Sequence, residues 1–313
     1  MMIKRFFCLI LSLWCFLLCA CHTAPPSTNE DKTPEEEENM DPNTPCVTLS
    51  DWDKNGLKVL TVGNSFSGDS YAYLHDILTA HGATDVTLCY LYIPGGTLAD
   101  HAASIAADSA TYRLHTFDTN GHDITEENKF SAVISSLPWD LIVLQQGSSH
   151  SGLSDSYSPL LQTVLDAAKE GCTNPDVEFA WNMTWAYQQT SAHEAFANYR
   201  YDQLTMYHGI VKAVEENVCT NPDVSFFFPC GTAVQNARTS SLGDTLTKDG
   251  HHLSPFGRYL ASYTWYACLT GETLTEAKFT PDDQTLSEND LQILIQCVNA
   301  AIANPLAITE ISN

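Results

Sequence analysis

The chain has 313 residues, 44% of them hydrophobic, and sets 38 Asp and Glu against 14 Lys and Arg for a formal net charge of −24. That acidic excess excludes nucleic acid and anionic membrane surfaces as partners, because both repel it. The stretch beyond residue 46 has the length of one larger domain.

The opening residues, MMIKRFFCLILSLWCFLLCAC, place Lys4 and Arg5 before an apolar run too short for a comfortable membrane span. Ala20 stands before Cys21, and the segment resembles a bacterial lipoprotein signal. Residues 1–20 are expected to be removed and Cys21 to carry lipid, which anchors the chain to a membrane outside the cytoplasm, in the periplasm or at the cell surface. Residues 21–45, rich in Pro, Glu, Ser, Thr and Asn, bury too little to offset their ordering entropy and are expected to form a disordered acidic tether. The domain is expected over 46–306, with a tail at 307–313. No internal segment is long and apolar enough to cross a membrane.

LKVLTV (57–62) reads as a buried strand. DSYAYLHDILTAHGA (69–83) has helical spacing, with Asp69 placed as N-cap and Gly82 as stop. DVTLCYLYI (85–93) is a second strand, and PGGTLADHAASIAA a glycine loop entering a helix. TYRLHTFDTNGHDIT predicts a β-hairpin turning at Asn120-Gly121. A short helix near 127–137 precedes a third strand, DLIVLQQG (140–147). Helix 158–171, strand 176–183, a long helix 193–218 and a fifth strand 223–229 follow. Helices near 255–270 and 287–303 close the chain. Strands alternating with helices predict a mostly parallel, five-stranded sheet with helices on both faces, plus a small hairpin insertion.

CTNPDVEFAW (172–181) and CTNPDVSFFF (219–228) share six residues, each joining a helix to a strand. If those strands are neighbours, Cys172 and Cys219 fall at matching points, and a Cys172–Cys219 disulfide is expected. None of Cys46, Cys89, Cys172, Cys219, Cys230, Cys268 and Cys297 forms a CxxC or a zinc-spaced Cys/His pattern.

Reactive residues of an open α/β sheet project from the carboxyl ends of its strands. The first strand runs out at Val62, so Ser65 stands at that edge, ahead of Ser67 and Ser70. The helix that follows turns its N–H groups toward the same place and favours developing negative charge. A serine needs a base. In DGHHLSPFGRYLAS (249–262), Asp249 and His252 are three apart, a spacing that lets them face one way in a helix-like turn, with Asp249 fixing the imidazole's tautomer. A zinc site on His251 and His252 is not expected, since adjacent histidines rarely point at one metal and no third ligand is apparent.

Gly63-Asn64-Ser65 and Asp249-Gly250-His251-His252 together resemble the blocks of the SGNH (or GDSL) hydrolases, ester hydrolases whose first block reads G-D-S and whose last reads D-x-x-H. The resemblance implies a three-layer, flavodoxin-like α/β/α sandwich, with Ser65 as nucleophile, His252 as base, Asp249 as its partner, and neither metal nor organic cofactor. It also implies an oxyanion hole from the Ser65 N–H, a glycine after strand two and an asparagine after strand three. IPGGT supplies Gly96, with Gly95 next to it. LQQGSSH has no asparagine: an overlay puts Ser149 there, while Gln145 and Gln146 carry the same amide on a longer arm. Because QG is similar to the Gln-Gly of the carbohydrate acetylesterase branch, Gln146 is taken as the third donor. The set VGNSFS, LQQGSS, WAYQQ, PCGTAVQNAR and DGHHLSPFGRYLA further resembles a branch catalogued mainly as a domain of unknown function.

Two segments frame the same edge. WNMTWAYQQ offers Trp181, Trp185 and Tyr187, and PCGTAVQNAR offers Gln235, Asn236 and Arg238. Aromatic faces beside amides suit sugar rings. Trp181, inside a strand, is the better core residue, so Trp185, Tyr187, Gln235 and Asn236 are the expected substrate contacts. The expected function is hydrolysis of acyl esters, acetyl first among them, on carbohydrate. The alternative is a catalytically weak or inactive glycan-binding lipoprotein.

Overall fold

A computed structural model describes residues 55–312. The expected signal, Cys21, Cys46 and tether lie outside the described residues. Seven strands form one sheet: β1 (Lys58–Gly63), β2 (Thr87–Tyr92), β3 (Tyr112–Asp118), β4 (Gly121–Asn128), β5 (Leu141–Leu144), β6 (Glu178–Asn182) and β7 (Phe226–Phe228), in the order β4-β3-β2-β1-β5-β6-β7. Helices α1 (Ser65–Tyr71), α2 (Leu74–Ala80), α3 (Leu98–Ala106), α4 (Phe130–Ile134), α5 (Leu160–Gly171), α6 (Gln203–Asn217), α7 (Cys230–Ala237), α8 (Pro255–Thr270) and α9 (Glu288–Ala303) surround it. Every residue of β5 is buried, so both faces of the sheet are covered there. Helices α1, α2, α7, α8 and α9 pack with one another, and α3, α4 and α5 form a separate group.

The five-stranded expectation needs correction. β2, β1, β5, β6 and β7 are parallel, but β3 pairs antiparallel with β2, and β4 with β3. The hairpin expected as an insertion therefore extends the sheet to seven strands. β4 is exposed along nearly its whole length, so no buried face marks it in the sequence as part of the sheet.

The order of strands reverses at β1, which has β2 on one side and β5 on the other. Ligands of open α/β sheets bind at the carboxyl ends of strands beside such a reversal. Register keeps those ends level, with Gly63 opposite Tyr92 and Val62 opposite Leu144.

Two helix boundaries differ from expectation. The single helix expected over 69–83 is two, α1 and α2, and the first starts at Ser65, because the Asn64 carboxamide caps it by accepting from Phe66 N–H at 2.9 Å. The helix expected over 193–218 is a 3₁₀ turn, Glu194–Tyr199, followed by α6. Arg200 and Tyr201 separate them with φ of 58° and 55°. The segment expected as a tail docks instead. Thr309 N–H donates to Asn236 Oδ1, Ile311 N–H donates to Thr239 Oγ1, and Ile311 is buried.

The Cys172–Cys219 disulfide is absent, and both thiols are free. Strands β6 and β7 are neighbours as expected, but each cysteine ends a helix and precedes its strand. Cys172 N–H still donates to Ala168 O of α5, and Cys219 N–H to Val214 O of α6. The two cysteines end different helices, so the spacing of the neighbouring strands does not set the distance between their sulfurs.

Candidate active site

Ser65 is the first residue of α1, and its N–H has no helix carbonyl to pair with. Its Oγ lies 2.9 Å from His252 Nε2, and His252 Nδ1 lies 2.7 Å from Asp249 Oδ2. The other two serines turn away: Ser67 Oγ donates to Gln145 Oε1, and Ser70 Oγ accepts from Asn182 Nδ2. The relay Ser65–His252–Asp249 is thus assembled from the end of β1 and the loop before α8, with Ser65 and His252 187 residues apart in sequence.

The loop that carries His252 is a closed turn and not the helix-like turn expected. Thr247 and Leu253 bridge its base, and Lys248 N–H donates to His252 O. Asp249 Oδ1 accepts the N–H groups of His251 at 3.2 Å and His252 at 2.8 Å. Partial burial opposes ionisation of Asp249, but the hydrogen bonds from the His252 ring and these two N–H groups outweigh it, and its carboxyl is held at about 2. Gly250 supplies φ of 91°, and a Cβ there would stand 2.9 Å from Ser191 Oγ.

Two contacts lock this loop to the rest of the site, and a third, from α8, holds the carboxylate that receives one of them. Trp185 Nε1–H donates to His251 O at 2.8 Å. Leu253 N–H donates to Asp69 Oδ2 at 2.8 Å, and Arg258 Nε–H donates to Asp69 Oδ1 at 2.7 Å. Asp69 is almost fully buried. That burial pushes its carboxyl up from the usual range, against the pull of Arg258 and of the Leu253 N–H. Asp69, read in the sequence as a cap, in fact joins the helix of Ser65 to the loop of His252.

A second network joins the ends of β1, β2, β5 and β6. Asn64 Nδ2–H donates to Gly96 O at 2.9 Å, and Gln145 Nε2–H donates to Asn64 Oδ1 at 2.7 Å. Gln145 Oε1 also accepts from Asn182 Nδ2–H at 3.1 Å. Gly147 lets the β5 loop press on the β2 loop, since a Cβ there would meet Gly96 O at 2.9 Å.

The expected oxyanion donors beyond Ser65 are committed elsewhere. Gly96 N–H closes a turn onto Ile93 O at 2.9 Å. Gln146 Nε2–H donates to Ser156 O and Oγ, while its Oε1 accepts from the N–H groups of Leu98 and Gly147. Gln146 is a buried brace between the β5 loop, the start of α3 and the 3₁₀ turn Ser154–Ser156. Ser149 Oγ lies 2.8 Å from His150 Nδ1.

The expected sugar contacts are interior residues. The Trp185 ring lies flat on Phe66, with 4.3 Å between centroids, and Trp185 and Tyr187 are both wholly buried. Trp181 is core, within β6. Gln235 and Asn236 sit on α7, a helix the sequence reading missed. Gln235 Oε1 accepts from Arg238 and Asn236 Oδ1 from Thr309 N–H. Arg238 is itself buried, 2.9 Å from Asp244 Oδ1, and that burial brings its guanidinium down to about 10. These side chains hold α7 and the segment after β6 in place, and Trp185 serves the site from beneath by fixing the His251 carbonyl.

A protein-family profile described as Domain of unknown function (DUF4886) matches residues 58–297. The crystal structure of a DUF4886 family protein from Bacteroides uniformis is 32% identical, with a TM-score of 0.77, over 81% of this chain and 97% of that one. An acetylxylan esterase from Geobacillus stearothermophilus is 13% identical with a TM-score of 0.44, over 67% of this chain and 93% of that one. A carbohydrate esterase family 3 protein from Talaromyces cellulolyticus is 13% identical with a TM-score of 0.43, over 67% and 94%. The last two likenesses are too remote to speak for the site. No curated protein matches.

Proposed function

The chain belongs to the DUF4886 family, and on that premise we propose that it is a lipid-anchored serine esterase working outside the cytoplasm on O-acyl esters, acetyl first among them, of carbohydrate. The relay of 2.9 Å from Ser65 to His252 and 2.7 Å from His252 to Asp249 carries this reading. Ser65 Oγ attacks the ester carbonyl carbon while His252 Nε2 takes its proton. Asp249 holds the Nδ1–H and stabilises the imidazolium. The Ser65 N–H and the start of α1 meet the oxyanion. As the C–O bond of the ester breaks, His252 returns the proton to the leaving alcohol. Water, deprotonated by His252, then releases the carboxylic acid from acyl-Ser65.

A polar substrate fits the surroundings better than a lipid. Among the described residues the large exposed hydrophobics are Ile124 on β4, Tyr201 just before α6 and Leu204 in its first turn. None of them belongs to the loops that carry Ser65 and His252. The β5 loop presents Ser148, Ser149 and His150 at the sheet's carboxyl edge instead.

The commitment of Gly96 N–H and the Gln146 amide favours a second reading, a glycan-binding lipoprotein that is catalytically weak or inactive. Hydrolysis of p-nitrophenyl acetate separates the two. Turnover that disappears in Ser65→Ala and in His252→Ala supports the esterase. Glycan binding without turnover by the unaltered protein supports the binder and rejects the esterase.

A further inference from the structure

Asp249 reaches two imidazoles. Its Oδ2 lies 2.7 Å from His252 Nδ1, and its Oδ1 lies 3.2 Å from His251 Nδ1. The two rings stand 4.1 Å apart between centroids, at 43° to one another. His251 Nδ1 is shielded from solvent and makes no hydrogen bond among the described residues. A buried nitrogen without a partner costs stability, and the lone pair that a neutral imidazole carries at such a position can ligate a metal ion. The third ligand that the sequence did not reveal is the carboxylate itself, since one donor atom each from Asp249, His251 and His252 lie within 4.8 Å of one another.

We propose that Asp249, His251 and His252 form an inhibitory site for a divalent transition-metal ion, zinc foremost, which takes His252 and Asp249 out of the relay. Tetrahedral zinc with bonds of about 2.0–2.1 Å spaces its ligand atoms about 3.3 Å apart. His251 Nδ1 already stands 3.2 Å from Asp249 Oδ1, and His252, now 2.7 Å from the other oxygen, Oδ2, has to turn toward an ion held there. Two imidazoles and one carboxylate suit zinc or copper, whereas magnesium prefers oxygen alone. The consequence for the relay follows from the proton count. A neutral imidazole bound to metal through Nδ1 carries its single proton on Nε2, so it donates to Ser65 Oγ and has no lone pair for the serine's proton. Binding through Nε2 instead blocks Ser65 directly.

The inhibition rests on the esterase reading, but the site does not, so binding is measured first without turnover. Untagged Ser65→Ala protein is titrated with zinc chloride by calorimetry, alone and with His251→Ala added. His251→Phe, which keeps a ring packed against Tyr187 and His193, repeats the comparison without hollowing that cluster. The expected result is one zinc per chain, bound about 10-fold or more weaker in either His251 variant, and no magnesium uptake. In the unaltered protein, zinc suppresses p-nitrophenyl acetate hydrolysis and EDTA restores it. The His251→Ala single variant hydrolyses the ester and needs about 10-fold more zinc for the same loss. No zinc binding, or binding that both His251 variants leave unchanged, overturns the proposal. Zinc held through His251 in a protein that hydrolyses no ester keeps the metal site and removes the esterase reading instead.

Discussion

Asp249 gathers three hydrogen bonds, from one ring and two backbone N–H groups, onto a carboxylate that is still partly exposed. Asp249→Asn keeps its shape but loses its charge and allows the wrong tautomer of His252. The expected outcome is a fall in kcat of about 10⁴-fold with little change in KM, read from p-nitrophenyl acetate kinetics. The carboxyl's ordinary value of 3.8 drops to about 2 here. Its contribution to stability is therefore complete above 3.8 and is lost as pH falls through about 2. At this scale the sequence was informative about the relay and silent about its supports. Ser65 could be chosen because the apolar strand runs out at Val62, and Asp249 with His252 because they stand three positions apart. Asn64, Gln145 and Asp69 could not be read, since their partners lie 81 residues away for Asn64 with Gln145 and 184 for Asp69 with Leu253. Trp185 was chosen for its aromatic face, which Phe66 covers; its role comes from the indole N–H.

Between elements, the turn that delivers His252 depends on Gly250. An alanine there takes on a left-handed backbone and sets its Cβ about 3 Å from three atoms of Ser191. Gly250→Ala is expected to cost about 2 kcal/mol, measured as a shift in the denaturant midpoint, and to lower esterase activity in the fraction that stays folded. Helix and strand periodicity placed most elements, and Asn120-Gly121 gave the hairpin. Two failures have local causes. PCGTAVQNAR was given no element, yet Gly231 is what lets α7 lie against the Thr184 carbonyl, where a Cβ has no room. Arg200 and Tyr201 break a long helical pattern in left-handed conformations that neither residue type signals.

For the molecule as a whole, the alternation of strands and helices led to the parallel sheet and its layers, while the strand count needed the antiparallel edge to be seen in place. The shared CTNPD connections located neighbouring strands correctly and suggested a disulfide wrongly, because they begin at helix ends. Peptide mapping of unreduced protein is expected to find Cys172 and Cys219 as thiols, and reducing agent to leave the unfolding temperature of a Cys172→Ser, Cys219→Ser variant and the unaltered chain equally unmoved. The Cys297 thiol, pushed by burial to about 12, is expected to resist alkylation until the domain unfolds. The account as a whole stands on a hydroxyl at the end of β1 activated by an imidazole from the loop before α8. The most direct measurement is labelling with a serine-directed fluorophosphonate, followed by peptide mass analysis. The account predicts one adduct, on Ser65, absent from Ser65→Ala and strongly reduced in His252→Ala. An adduct on Ser67 or Ser70, or none on the unaltered folded protein, would contradict it.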